Sequence, residues 1–259
     1  MKHLSTSSLA KAVGVHPNTV RRYAERGFLP PVERSPSGYR RFTERHLDCL
    51  RLTRLVFSNL FPGKAIYQSG IHIILLTASG DLGGALELAY RHLALVQSER
   101  AQAEVSADLL ERWALGAPAD ATSELLTIGQ AAVRLGISID ILRSWDRNGL
   151  IDIPRDPSNG YRLYGAQQFS RLRVIRMLSR AGYSIGAILR MLIQLDRGET
   201  TDLRRALDTP RPDEDVYLAS DHWLTTLDEH AQRARQIVAL LEEMIRRGDP
   251  PGYSLDINT

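Results

Sequence analysis

The sequence predicts a mainly α protein, with two winged helix-turn-helix domains, each followed by helices that include a long coiled-coil-type helix. Three observations carry that prediction. The chain repeats itself, because Gly38-Tyr39-Arg40 returns as Gly160-Tyr161-Arg162 at an offset of 122 residues. Basic and acidic blocks alternate along the 259 residues, +7 over 1–60, −3 over 61–120, +5 over 121–195 and −6 over 196–259. Within the acidic blocks, apolar residues step by three and four, the spacing of a helical seam. Four regions follow. Residues 1–60 form a first winged helix-turn-helix, and 61–120 a helical connector with a long Ala-rich helix. Residues 121–195 form the second winged helix-turn-helix, and 196–259 an acidic connector with a C-terminal coiled-coil-type helix.

The repeat holds at one offset without gaps. Leu4 meets Leu126, Ala10 meets Ala132, Gly14 meets Gly136, Arg21 meets Arg143 and Gly27 meets Gly149. Beyond the tripeptide, Leu50 meets Leu172 and Arg54 meets Arg176. A match that keeps glycines, arginines and the apolar rhythm marks two copies of one structural unit.

Each copy spells the same elements in order. In copy one, Ser5 and Ser8 start a helix and Gly14 stops it. His16-Pro17 starts a second helix with Pro at its first position, and Gly27 ends it. In copy two, Thr127 and Gln130 form a capping box ahead of the apolar face Ile128, Ala131, Ala132 and Leu135. Gly136 stops that helix, Ser138 caps a second one carrying Ile141, Leu142 and Trp145, and Gly149 closes it. Two short helices around a Gly-containing turn make a helix-turn-helix. Tyr23 and Trp145 read as core, since Val20 and Leu142, three residues earlier, are apolar. Prolines then bar helix over 30–38 and 152–160, and Ser37-Gly38 and Asn159-Gly160 favour a tight hairpin turn. The hairpin is a wing. A third helix follows over about 44–57 and again over about 166–180.

The acidic blocks carry two seams. Leu224, Leu227, Ala231, Ala234, Val238, Leu241 and Ile245 form a heptad seam on a helix over 221–246. Ala89, Leu93, Val96, Arg100, Ala103, Ala107, Leu110 and Ala114 form a fainter one, interrupted by Arg100, whose alanines let a partner helix approach closely. Two arrangements fit: the helices 86–114 and 221–246 pair within one chain as a pseudo-dimer, or the stronger seam makes a homodimer. Segments 61–85 and 196–221 read as helix or loop without a ligand signature, and Phe61-Pro62-Gly63-Lys64-Ala65 lacks phosphate-loop spacing.

Several classes are set aside. Cys49 is the single cysteine, so neither an intramolecular disulfide nor a Cys-rich metal site is available, and no metal or cofactor is expected. The seven histidines are scattered singly, and no nucleophile and base share a recognisable spacing, so an enzyme is not expected. The first residues lack the apolar core of a signal peptide, and no apolar run, the segment 71–76 included, approaches the ~20 residues of a membrane span. The expected setting is cytoplasmic, on the nucleoid.

Each copy resembles the DNA-binding module of the mercury-resistance-regulator (MerR) family. The resemblance rests on Gly14 to Tyr23, Gly27-Phe28-Leu29 and Gly38 to Phe42 in copy one. In copy two it rests on Gly136-Ile137-Ser138, Leu142 to Asp146, Gly149-Leu150-Ile151 and Gly160 to Tyr164. It implies that the second helix of each copy enters a major groove of double-stranded promoter DNA. Arg21 and Arg143 then take the place of the family's contact arginine, with Asn18, Arg22, Asp140 and Ser144 as further contacts. Arg40 and Arg162 take the wing's backbone-contacting place, with Arg41 beside Arg40. Tyr39 and Tyr161 either pack under the wing or offer a hydroxyl to a phosphate. The resemblance further implies an activator that distorts promoter DNA for RNA polymerase holoenzyme. The competing reading is a DNA-organising or recombination accessory protein without polymerase control. Two departures stand out. The family's Tyr-Tyr-Glu run is replaced by Arg22-Tyr23-Ala24 and Ser144-Trp145-Asp146, and there are two modules rather than one. Only 248–259 follow the second long helix, where ligand-sensing members carry an effector region. The copies are unequal, with Arg22 against Ser144, Asn18 against Asp140 and Arg41 against Leu163, so copy one is the more basic head.

Overall fold

Caps, glycines and a proline set where each helix starts and stops. The structure, a computed structural model, describes residues 3–57, 63–114, 125–209 and 222–248. In chain order the elements begin with α1 (Thr6–Ala12), α2 (Pro17–Glu25), β1 (Glu33–Arg34), β2 (Arg40–Arg41) and α3 (Glu44–Val56). Then come α4 (Lys64–Ser79) and the long α5 (Leu82–Ala114). The second module supplies α6 (Ile128–Leu135), α7 (Ile139–Arg147) and α8 (Ala166–Arg180). The chain continues through α9 (Ile185–Asp196), α10 (Leu203–Asp208) and the long α11 (Trp223–Arg246). The fold is mainly α, with one two-stranded antiparallel sheet among the described residues. Of the segment 61–65, which lacks phosphate-loop spacing, residues 61–62 lie outside the described residues, as do 249–259.

The capping chemistry is local and follows from single residues. Ser5 Oγ accepts the amide of Ser8 at 3.1 Å to start α1. His16 Nδ1 accepts the amide of Asn18 at 3.2 Å ahead of Pro17, which opens α2. In copy two, Gln130 Oε1 accepts the Thr127 amide at 2.9 Å, and Ser138 Oγ accepts that of Ile141 at 3.3 Å. Gly136 ends α6 at φ +60°, a conformation that costs an L side chain about 1 kcal/mol.

The two copies close in the same way. Leu4 and Phe42 exchange backbone hydrogen bonds of 2.8 and 3.1 Å, and Leu126 and Tyr164 exchange equivalent ones of 3.0 and 2.9 Å. Phe42 and Tyr164 are both fully buried. The Tyr164 hydroxyl has no hydrogen-bond partner among the described residues, and burial raises its pKa. Copy one solves this position with a phenylalanine. Tyr164→Phe is therefore expected to raise unfolding stability by about 1 kcal/mol, because an unsatisfied buried hydroxyl disappears. Urea denaturation checks this, and a loss of stability would show that the hydroxyl is satisfied.

The gapless alignment needs one correction. In copy one Arg34 pairs with Arg40 and its Nη1 donates to the Gly38 carbonyl at 3.2 Å. In copy two Arg155 pairs with Arg162 and its Nη1 donates to the Gly160 carbonyl at 3.1 Å. Arg155 is thus the counterpart of Arg34, one residue short of the common offset. Copy two drops a residue before the strand and regains it in the turn, where Asp156 accepts from Ser158 and Asn159. The two changes cancel, so the sequence offset hides them.

The chain divides into two compact units, Met1–Ser98 with Leu227–Thr259, and Glu99–Thr226. In the first, Leu9, Val20, Phe42 and Leu50 of the module share one core with Ile73 and Ile74 of α4. Ala85 and Ala89 of α5 join it, together with Ile237, Val238, Leu241 and Met244 of α11. Tyr90 Oη donates to Glu242 at 2.6 Å, tying the two long helices directly. Tyr23 lies in an aromatic cluster with Phe28 and Phe57, whose centroids are 5.9 and 5.8 Å away.

In the second unit the module is anchored to α5 and to the start of α11. Tyr183 Oη donates to the Ala103 carbonyl at 3.1 Å and Trp113 Nε1 to Ser170 Oγ at 2.6 Å. Trp223 Nε1 donates to the Ala181 carbonyl at 2.7 Å. Asp208 caps α11, accepting the Leu224 amide at 2.8 Å and the Thr225 hydroxyl at 2.6 Å. Trp145, like Leu142, is buried in this unit's core.

The α11 seam differs from a strict heptad at its end. Leu224 through Leu241 are buried as spaced, but Ile245 is 41% exposed and Met244 is buried instead. The last inward step is three residues, from Leu241 to Met244, so the seven-residue repeat stops at Leu241 and Ile245 turns outward. On the same helix His230 is buried, and it faces the buried His92 of α5. Burial, and then the charge of His230, lower the His92 pKa to about 4 from its usual 6.5. The unfolded chain therefore binds a proton between pH 6.5 and 4 that the folded chain refuses. Stability is full above that window and falls as pH drops through it. At pH 5 the loss is expected to be about 2 kcal/mol relative to pH 7.5. His92→Phe should flatten that slope in denaturation measured at the two pH values.

Candidate nucleic-acid interface

The second helices of the two copies, α2 and α7, expose their polar faces by the same geometry. Val20 and Leu142 point into the cores, which turns the residues on either side outward. In α2, Asn18, Arg21 and Arg22 are exposed, as is Arg26 just after its end. Arg21 Nη1 donates to Asn18 Oδ1 at 2.9 Å. In α7, Arg143 Nη1 meets Asp140 Oδ1 at 3.4 Å. The same arginine thus has the same i, i+3 partner in both copies, neutral in one and anionic in the other. Both pairs are exposed, so the rigidity they lend is small and the guanidiniums remain open to a phosphate or a base edge. Asp140 is exposed, whereas Ser144 is half-buried and accepts from Asn148 Nδ2 at 2.7 Å through its carbonyl. Ile139 and Ile141 are also exposed, so this face is less polar than that of α2.

The wings differ more than the helices. Tyr39 and Tyr161 stand out at 76% and 70% exposure, and neither is packed beneath its wing. Arg40 meets Glu25 at 3.9 Å, a loose surface pair of the kind worth 0–1 kcal/mol. Arg162 is held much harder. Its Nε and Nη2 donate to Asp146 at 2.8 and 2.5 Å, with both side chains mostly buried. To reach a phosphate, Arg162 must give up this clamp between wing and helix. Arg41 is exposed, and Leu163 at its counterpart is half-buried.

Some interface residues carry no sequence signal. Glu25 and Asp146, which bind the wing arginines, lie 15 and 16 residues from them, and no periodicity links a helix's last turn to a wing. Arg34 and Arg155 brace the turns from the opposite strand and would emerge only from an alignment shifted by one residue. Arg26 and Arg147 add exposed charge at the ends of α2 and α7.

Comparison with known proteins matches both modules. Residues 126–195 match the model of the MerR HTH family regulatory protein, and residues 5–42 that of the MerR family regulatory protein. A mercuric resistance operon regulatory protein of Bacillus cereus is 33% identical over 72 residues, 28% of this chain and 54% of that protein. Its counterpart in Pseudomonas fluorescens is 28% identical over 131 residues, 49% of this chain and 82% of that protein. The HTH-type transcriptional regulator CueR of Escherichia coli O6:H1 is 39% identical over 51 residues, 20% of this chain and 38% of that protein. The chain thus spans about half the length of the Bacillus relative. No solved structure gives a significant match. Two family matches thus fall on two modules of one geometry, and each module is similar to the MerR helix-turn-helix module.

Proposed function

We propose that the chain is a transcription regulator that binds double-stranded promoter DNA with two unequal reading heads. The observation that carries this is the repeated recognition arginine, Arg21 beside Asn18 and Arg143 beside Asp140, exposed at matched places on α2 and α7. Asn18 and Arg22 add base contacts in the first head, and Asp140 and Ser144 do so in the second. Tyr39 and Tyr161 offer hydroxyls to phosphates, which their exposure favours. The wing arginines and Arg41 neutralise backbone charge. The bound promoter is distorted to suit RNA polymerase, at a cost offset by wing and helix contacts.

The two heads act from one chain as a pseudo-dimer. The core that Ala85 and Ala89 share with Val238 and Leu241 supports this, since each long helix already has a partner in its own chain. Light scattering on the protein with a short operator is expected to give one chain per operator, and two would contradict the pseudo-dimer.

Genomic footprinting with Arg40→Ala and Arg162→Ala tests the DNA reading. Occupancy restricted to promoters is expected, with Arg40→Ala lowering affinity and reducing the salt slope by about one. Arg162→Ala should weaken the second wing by loosening it from α7. If both variants bind with unchanged affinity and salt dependence, the wing assignment is wrong.

A further inference from the structure

A small cleft in the first unit opens between the end of α3, the start of α4, α5 and α11. It is about 250 Å³ including its open mouth, and its enclosed part admits roughly one water-sized atom. Tyr67, His92, His230 and Arg233 line it on the polar side. Leu55, Ile66 and Ile237 line the rest.

Two buried nitrogens there have no hydrogen-bond partner among the described residues, His92 Nδ1 and Arg233 Nη1. His92 is 5% exposed. Arg233 donates its other amino group to Glu229, Nη2 to Oε2 at 2.9 Å. Arg233 Nη1 always carries protons, and His92 Nδ1 carries one in its Nδ1–H tautomer. A buried N–H without an acceptor is costly, and more so when it carries charge. The group that satisfies both nitrogens is an acceptor, and beside a guanidinium an anionic one is preferred. The enclosed volume takes one atom of it. The apolar wall leaves room at the mouth for a short hydrocarbon but no further polar group.

We propose that this cleft binds a small monoanion, either a halide or one oxygen of a short aliphatic carboxylate, between His92 and Arg233. The bound anion joins α5 to α11 at the level of the first module. Tyr67, on the cleft wall, packs on Phe57 at 5.9 Å, and Phe57 stacks on Tyr23 of α2 at 5.8 Å. A ring chain thus leads from the anion to the recognition helix, the arrangement an effector site needs. The binding itself does not depend on the DNA reading and is measured without DNA.

The test is calorimetric titration of the full-length protein with sodium chloride, formate and propionate, at constant ionic strength held by sulfate. Saturable binding of chloride alone identifies a halide site, and saturable binding of formate and propionate identifies a carboxylate site. Arg233→Gln is expected to weaken either at least about tenfold, the worth of a charge-assisted hydrogen bond. His92→Phe should weaken it by a smaller factor, about fivefold, for one neutral donor lost. If His92→Phe does not fold, Arg233→Gln decides alone, because Arg233 sits at the cleft's edge with 29% of its side chain exposed. No saturable binding by any of the three salts, as when a water fills the cleft, overturns the proposal. Binding that survives Arg233→Gln unchanged overturns it too.

Discussion

Replacing Arg21 and Arg143 together with alanine is expected to weaken DNA binding by a hundredfold to a thousandfold while leaving the fold intact. An arginine that reaches a guanine edge or a phosphate contributes about 1–3 kcal/mol, and two in separate heads add. Stability should change by no more than about 0.5 kcal/mol, because both side chains are exposed and their hydrogen bonds lie at the surface. The single changes should differ. Arg143 meets DNA in competition with the anionic Asp140, so Arg143→Ala forfeits a weaker contact than Arg21→Ala, whose partner is the neutral Asn18. Gel-shift titrations at two salt concentrations separate the effects. A double variant that binds as tightly as the native chain would remove the recognition helices from the interface.

Gly182→Ala is expected to cost about 3 kcal/mol of stability. Gly182 sits at φ +94° between α8 and α9. A Cβ there would lie 2.6–2.7 Å from three ring atoms of Trp223. Trp223 is buried and its Nε1 is held by the Ala181 carbonyl at 2.7 Å, so the ring escapes only by breaking that bond. Backbone strain and overpacking therefore add. Gly136→Ala is the control. Its φ is +60°, but the nearest atom is the end of the flexible Arg176 side chain at 3.4 Å, so only the backbone term of about 1 kcal/mol should appear. Equal losses at the two positions, measured by urea denaturation, would show that the Trp223 contact is not what confines Gly182.

What the sequence discloses is what short-range chemistry controls. Ser5, Thr127 with Gln130, Ser138, Pro17 and Gly136 act on backbone groups within four residues, and all of them mark helix ends in the structure. The inward positions of α6, and Leu142 and Trp145 of α7, follow from the helical period, whereas Ile141, read with them, is exposed. The site is only partly legible, for reasons of distance. The clamp of Arg162 on Asp146 joins a wing to a helix, and the His92–His230 pair joins helices far apart in sequence. The α10 helix is hidden in a segment whose acidic composition suggests only a connector, and α9 lies in the basic block beyond the third helix of the second module; Arg190 Nε reaches the Ala206 carbonyl at 2.7 Å and fixes one against the other. The wing shift was concealed because a deletion and an insertion cancel within eleven residues, from Gly27 to Gly38.

Footprinting Arg21→Ala and Arg143→Ala separately on one operator tests whether one chain reads DNA with two different heads. Each variant is expected to lose protection over a different half of the native footprint, with the Arg21→Ala loss the deeper. Loss of the same half by both variants, or an unchanged footprint with Arg143→Ala, would contradict it.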